Sequence, residues 1–319
     1  MTLSVEIEPP QGAFLKIDEK DTSIYNEVTN YADLVDMISI TNRPVFGLSP
    51  LTLASQVQKL VQQITPHEVR INLHLTTRLS HFDTFKSVLD AQRIGLSDLL
   101  PILGDPRGPA DPNYFSNGFD ILGFVSYLKT GDKNTLTSKY REMVDQGTLI
   151  GPIRDANYNI GTVVDVNPTK IFKSRKEVDI REKQIKFAKR KEKLGAEYLI
   201  SQAIFDAEYY FDFVEEADLG IPILAGVMPA RLRLLNAFGL PISHLKKQKL
   251  RAQFTTSEEK IVGNKIAAEV YSDLVDKGCQ DLHIYSIGQP KNFEAITGFE
   301  LQNESNQNKM GRTVQKDHK

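Results

Sequence analysis

The residues of this chain best suited to chemistry recur at one kind of place, the end of a short apolar run rich in β-formers. Glu6 and Glu8 stand in SVEIEPP, Thr41 and Asn42 close MISITN, and His74, Thr76 and Arg78 lie in NLHLTTR. Gly104 and Asp105 follow in LGDPRG, then Asp165 and Asn167 in VDVNP. Gln202 interrupts LISQAIFD, and Ser286 and Gln289 sit in YSIGQP. Carboxyl and imidazole groups exchange protons, and an amide both donates and accepts hydrogen bonds. These are the parts of a polar binding or acid–base site. Gln202 is the most telling, because an amide buried without partners costs about 1–3 kcal/mol. No second histidine or carboxylate stands at i+2 or i+4 from His74, so the spacing favours no metal site.

Such scattered residues need a scaffold that brings strand ends together. The candidate strands are Leu3–Ile7, Asp36–Thr41, Val69–Leu75, Leu99–Leu103, Ile160–Val166, Tyr198–Ile204, Pro222–Val227 and Asp281–Ile287. Helical periodicity fills the intervals: Leu51–Gln63, Phe82–Ile94, Phe187–Leu194, Ala207–Ala217 and Ser257–Lys277. This alternation predicts an α/β fold, a single-domain (β/α)8 TIM barrel over residues 1–300. A doubly wound sheet is the competitor, but no GxGxxG follows the first strand. Residues 131–157 read as an insertion and 301–319 as a polar, disordered tail.

In a barrel the active site forms at the C-terminal ends of the strands. Each candidate also has a plainer reading. Glu6 and Glu8 alternate with Val5 and Ile7, so both could face outward. Asp105 could cap a turn, His74 could be a satisfied core histidine, and Thr41 could serve β propensity alone. Asp206 reads as a helix cap. Periodicity by itself stops at a barrel with a polar mouth.

Composition narrows the class. Apolar residues make up 40% and charged residues 25%, and the net charge of −2 leaves no footprint for nucleic acid. The basic stretch Lys170–Lys193 is interleaved with acids and reads as a solvated helix face. Cys279 is the only cysteine, which excludes a disulfide framework or a cysteine-ligated cluster within the chain. No segment has the length and apolarity of a membrane span, and the first residues lack a signal peptide's pattern. A cytoplasmic protein is expected, as a homo-oligomer or with a partner subunit.

Several motifs together resemble the methylenetetrahydrofolate reductase family. SVEIEPP resembles its opening S-F-E-F-F-P-P, LHLTT its H-L-T-C, and LGDPRG its R-G-D-P-P loop. GAEYLISQAIFDAEYYFDFVEEADLGIPILAGVMPA follows G-A-D-F-I-x-T-Q-x-x-F-D … P-I-x-x-G-I-M-P nearly throughout. ITNRP, LSPLTLA and IGTVVDVNP resemble a divergent branch. The resemblance implies flavin-dependent reduction of 5,10-methylenetetrahydrofolate to the 5-methyl form, with NAD(P)H as hydride donor, in one-carbon metabolism and methionine biosynthesis. It implies Glu6 as general acid at the folate N10 and Asp105 as the carboxylate near the flavin and pterin. Gln202, Asp105 and Gln289 would bind the folate. Thr41, His74, Gly104, Asp105, Asp165, Asn167 and Lys191 would hold the flavin.

Departures accompany the match. VDVNPTK replaces the Y-P-E-x-H that helps hold an adenine dinucleotide, and Leu103 replaces the arginine of R-G-D. Gln184 and Phe187 replace polar flavin contacts. The flavin is thus expected as FAD held differently, as FMN, or not at all. The alternative is a tetrahydrofolate-dependent methyltransferase or demethylase on the same barrel without flavin.

Overall fold

The computed structural model describes residues 2–7, 23–41, 49–103, 113–171, 177–237, 258–287 and 289–300. Glu8, Asn42, Gly104, Asp105 and the tail 301–319 lie outside the described residues.

The strands are β1 (Thr2–Ile7), β2 (Met37–Ile40), β3 (Arg70–Thr76), β4 (Asp98–Ile102) and β5 (Asn159–Val164). They continue as β6 (Thr169–Ile171), β7 (Glu177–Asp179), β8 (Tyr198–Ser201), β9 (Ile223–Val227) and β10 (Asp281–Ile284). All but β6 and β7 close into one barrel in the order β1-β10-β9-β8-β5-β4-β3-β2, with parallel pairing throughout. The (β/α)8 expectation holds. β6 and β7 form an antiparallel hairpin between β5 and the next helix, which the sequence reading did not contain.

The helices are α1 (Ser23–Tyr31), α2 (Pro50–Ile64), α3 (His81–Arg93), α4 (Gly118–Thr130) and α5 (Ser138–Asp145). After them come α6 (Arg181–Lys193), α7 (Ala207–Ala217), α8 (Leu232–Ala237), α9 (Glu258–Asp276) and α10 (Pro290–Thr297). Their starts follow local chemistry. Ser49 accepts from the Thr52 amide with Pro50 in the first turn, Ser80 accepts from Asp83, and Asp206 accepts from Glu208. The reading of Asp206 as a cap is correct.

The stretch expected as an insertion has a structural task. α4 is buried on every side from Asp120 to Leu128, so it has no solvent face. The barrel covers one side. Across the other run Leu136, Tyr140, Leu149 and Ile153, all buried in the main core. Thr137 Oγ1 donates to Asp120 Oδ1 at 2.9 Å, and the Ile153 amide donates to the Leu128 carbonyl at 2.8 Å. Gly123 permits the contact, because a Cβ there would collide with the Thr135 carbonyl.

Two seams of the barrel wall have short ladders, β8–β9 with two pairs and a bridge, and β4–β5 with two pairs alone. The β4–β5 ladder pairs only Asp98 with Asn159 and Leu99 with Ile160. Pro101 then lacks an amide to donate. Thr162 Oγ1 donates to the Pro101 carbonyl at 2.8 Å, and Lys191 Nζ donates to the Val163 carbonyl at 2.5 Å. The Gln202 amide takes the Val164 carbonyl from the β8 side, so by alternation the Val163 carbonyl turns toward β4.

Candidate active site

Alternation decides which side chains face inward. Leu3, Val5 and Ile7 of β1 join the core beneath the helices, so Ser4 and Glu6 turn into the barrel. On β2 and β3 the same rule turns Ser39, Thr41, Asn72, His74 and Thr76 inward. Glu6 shares a register row with Ser39 and Asn72, and Asn72 Nδ2 donates to Ser39 Oγ at 3.1 Å. The outward reading of Glu6 is therefore excluded.

Below this polar ring lies an apolar plug of Met37, Leu100, Tyr198, Ile200 and Leu224. Gly161 makes room for it, since a Cβ there would strike the Tyr198 ring. The plug gives the mouth a dry floor.

The ring above it is under-satisfied. Thr41 Oγ1, His74 Nε2, Thr76 Oγ1 and Gln202 Oε1 are all sealed from solvent without a hydrogen-bond partner. Buried polar atoms are nearly always paired, and each orphan costs about 1–3 kcal/mol. These four gather at the C-terminal ends of β2, β3 and β8, while other unpaired atoms among the described residues lie elsewhere in the fold. His74 is not the satisfied core histidine of the plain reading. Burial lowers its pKa to about 4, so the ring is neutral at physiological pH. His283, its neighbour on β10, is lowered to about 3 by burial and by His74, and its Nδ1 lies 2.9 Å from Ser4 Oγ.

Alternation aims Gln202: Tyr198 and Ile200 of β8 face the plug, so Gln202 falls on the same inner face. Ile200 pairs with Leu224 and Ile204 bridges to Val227, so β8 advances four residues while β9 advances three. The extra residue is a bulge between Ile200 and Ile204 that interrupts the ladder with β9. The strand expected to run through Ile204 ends as a ladder at Ser201 for this reason.

The remaining expected residues divide. Asp165 Oδ1 accepts from the Asn167 amide at 3.2 Å and from Asn167 Nδ2 at 3.0 Å. Asn167 Nδ2 also reaches the Ala203 carbonyl at 3.3 Å, so this pair ties the end of β5 to the β8 loop. Gln289 is exposed as the residue that opens α10. Lys191 approaches from α6 with its ammonium on the Val163 carbonyl; burial lowers its pKa to about 8, against the pull of Asp165.

Tyr285 belongs to the mouth and was missed by sequence reasoning. The signal was available. Period two places Asp281, His283 and Tyr285 on one face of β10, and Gly226 in AGVMP marks a close approach. Burial raises its phenol, and the Glu6 carboxyl raises it further.

The sequence matches the family model described as methylenetetrahydrofolate reductase over residues 1–298. The chain belongs to the methylenetetrahydrofolate reductase family. Methylenetetrahydrofolate reductase (NADH) 1 of Arabidopsis thaliana is 23% identical over 255 residues, covering 76% of this chain. The chain spans 38% of that relative's length. Among solved structures, a protein of Clostridium thermocellum that binds two copies of 5-methyl-5,6,7,8-tetrahydrofolic acid superposes with a TM-score of 0.52. The two share 12% identity, with 92% of each chain covered, which speaks to the fold.

Membership in this oxidoreductase family raises the question of a flavin. The orphaned Thr41 hydroxyl and His74 Nε2 offer a donor and an acceptor side by side, which fits the polar edge of a flavin ring. Lys191, also expected to hold the flavin, rests its ammonium on the Val163 carbonyl, which uses one of its three donors.

Proposed function

We propose that this member of the methylenetetrahydrofolate reductase family reduces 5,10-methylenetetrahydrofolate to 5-methyltetrahydrofolate in the mouth of its barrel, with NAD(P)H as the hydride donor. The observation that carries the reading is the ring of orphaned polar atoms, Thr41 Oγ1, His74 Nε2, Thr76 Oγ1 and Gln202 Oε1, above a dry floor and beside an inward carboxyl. A pterin is a flat heterocycle with donors and acceptors along its edge, and such a ring would satisfy those atoms.

In this reading Glu6 is the general acid. It protonates N10, which opens the five-membered ring and leaves a cationic iminium at N5. An acid in this role must carry its proton to the folate and give it up in the same step. Gln202 holds the pterin edge through both ends of its amide. Asp105, outside the described residues, takes the cation-stabilising role that the family resemblance gives it. When bound, a flavin would supply the hydride that quenches the iminium. Thr41 and His74 would orient the ring, and a neutral imidazole suits that task.

Lys191 favours a second reading, a tetrahydrofolate-dependent methyltransferase or demethylase without flavin. Its ammonium lies on the Val163 carbonyl of the barrel wall, a contact that draws it away from a flavin. The visible spectrum of the purified protein separates the two. Bound flavin bleached by NADH or NADPH supports the reductase. A colourless protein that binds tetrahydrofolate supports the second reading, and one that does neither removes both.

A further inference from the structure

The end of β10 joins the proposed acid and the proposed amide through two adjacent residues that reach in opposite directions. Tyr285 extends over β9 to β8, and its hydroxyl donates to the Ser201 carbonyl at 2.8 Å. That carbonyl lies at the bulge, where the β8–β9 ladder is interrupted just before Gln202. Ser201 itself is bound on its other side, with Oγ accepting from the Gly226 amide at 2.7 Å. Gly226 is obligatory here, because a Cβ would collide with the Ser201 carbonyl and lie 2.8 Å from Tyr285 Cε2. Ser286 reaches the other way, and its Oγ donates to the Glu6 carbonyl at 2.9 Å.

The pair is itself held rigidly. Asn292 Nδ2 donates to the Ser286 carbonyl at 2.8 Å, the Gln289 amide donates to it at 3.2 Å, and Asn264 Nδ2 donates to Asn292 Oδ1 at 3.1 Å. The next residue, Ile287, has φ +54°. A β-branched side chain in that region is strained by about 1–3 kcal/mol and persists only where its surroundings over-determine it. Here the strained turn ends β10 abruptly and leaves Tyr285 and Ser286 pointing apart.

We propose that Tyr285 and Ser286 form a two-armed clamp that sets the separation of Gln202 and Glu6. They are positioning residues. The Tyr285 arm governs how the mouth grips a pterin, and the Ser286 arm governs how the acid meets the atom it protonates. What the mouth holds rests on the function proposed above; the clamp itself rests on the hydrogen bonds of β10.

Tyr285→Phe keeps the ring against Gly226 and removes one hydrogen bond. Ser286→Ala removes the other, and Ser286→Thr restores its hydroxyl. Hydrogen exchange read by mass spectrometry tests the clamp without any ligand. Tyr285→Phe should speed exchange at least fivefold in peptides covering residues 201–205, and Ser286→Ala in peptides covering residues 3–7, with β3 and β4 unchanged. Steady-state kinetics on 5,10-methylenetetrahydrofolate then separates the arms. Tyr285→Phe should raise KM at least fivefold with kcat within twofold. Ser286→Ala should lower kcat at least fivefold with KM within twofold, and Ser286→Thr should recover most of it. Exchange indistinguishable from the parent chain in both variants overturns the clamp. So does local loosening that leaves KM and kcat both unmoved. If the parent chain binds no reduced folate, the proposed function fails while the exchange measurements still decide the clamp.

Discussion

At the scale of single residues, the mouth is defined by what its atoms lack. Gln202 Oε1 has no partner and no solvent, so its burial is offset only when something else supplies a donor. Gln202→Leu should therefore weaken binding of 5-methyltetrahydrofolate by about 10- to 100-fold, the equivalent of about 1–3 kcal/mol. Thermal stability should stay level or rise, since an orphaned acceptor disappears. Titration calorimetry and a melting curve check both halves, and unchanged affinity would take the amide out of the binding site. Glu6→Gln separates binding from proton transfer. It should bind folate within a few-fold of the parent chain yet turn over at least about 100-fold more slowly. Full turnover in that variant would show that the proton comes from elsewhere.

At the scale of elements, the sequence carried most of the barrel and less of the site. All eight barrel strands were legible, because short apolar runs between helical stripes leave little choice of class. Alternation in SVEIEPP could not say which way Glu6 points, since a period of two fits either face; pairing with Ser39 and Asn72 decided it. The bulge at Ser201 was invisible, because a bulge is a property of two strands compared. β10 ends three residues early because Ile287 leaves the extended region, which its β-branched side chain gives no reason to expect. The hairpin of β6 and β7 was missed because each strand has three residues, too few for periodicity. The role of residues 131–157 could have been read from α4, whose sequence is apolar all round. Gly123→Ala tests that packing. Its Cβ has no room beside the Thr135 carbonyl, so the cover must shift, and stability should fall by about 1–3 kcal/mol. A urea titration measures this; a midpoint equal to the parent's would show the cover to be loosely held.

At the scale of the whole molecule, two neutral imidazoles inside the barrel make stability depend on pH. His74 and His283 hold folded-state values of about 4 and about 3, below the ordinary 6.5. As pH falls below about 6.5, the unfolded chain takes up protons that the folded one refuses, and the balance tips toward unfolding. The contribution is complete above about pH 6.5 and is lost progressively down to about pH 4 and pH 3. At pH 5 the loss is roughly 2 kcal/mol per imidazole. His283→Gln should flatten the fall in urea midpoint between pH 7 and pH 5. An identical slope in variant and parent would mean that His283 is already charged in the folded barrel.

The seam between β4 and β5 gives the molecule a preferred direction of give. A cylinder whose staves are glued unevenly flexes first where the glue is thinnest, and β4–β5 has two pairs where β8–β9 has two pairs and a bridge. Here, among the described residues, the Thr162 hydroxyl alone crosses the upper half of the joint, while the Val163 carbonyl is taken by the Lys191 ammonium from α6. Thermal breathing should concentrate there, beside Asp165, so the wall of the mouth is expected to yield along that side first.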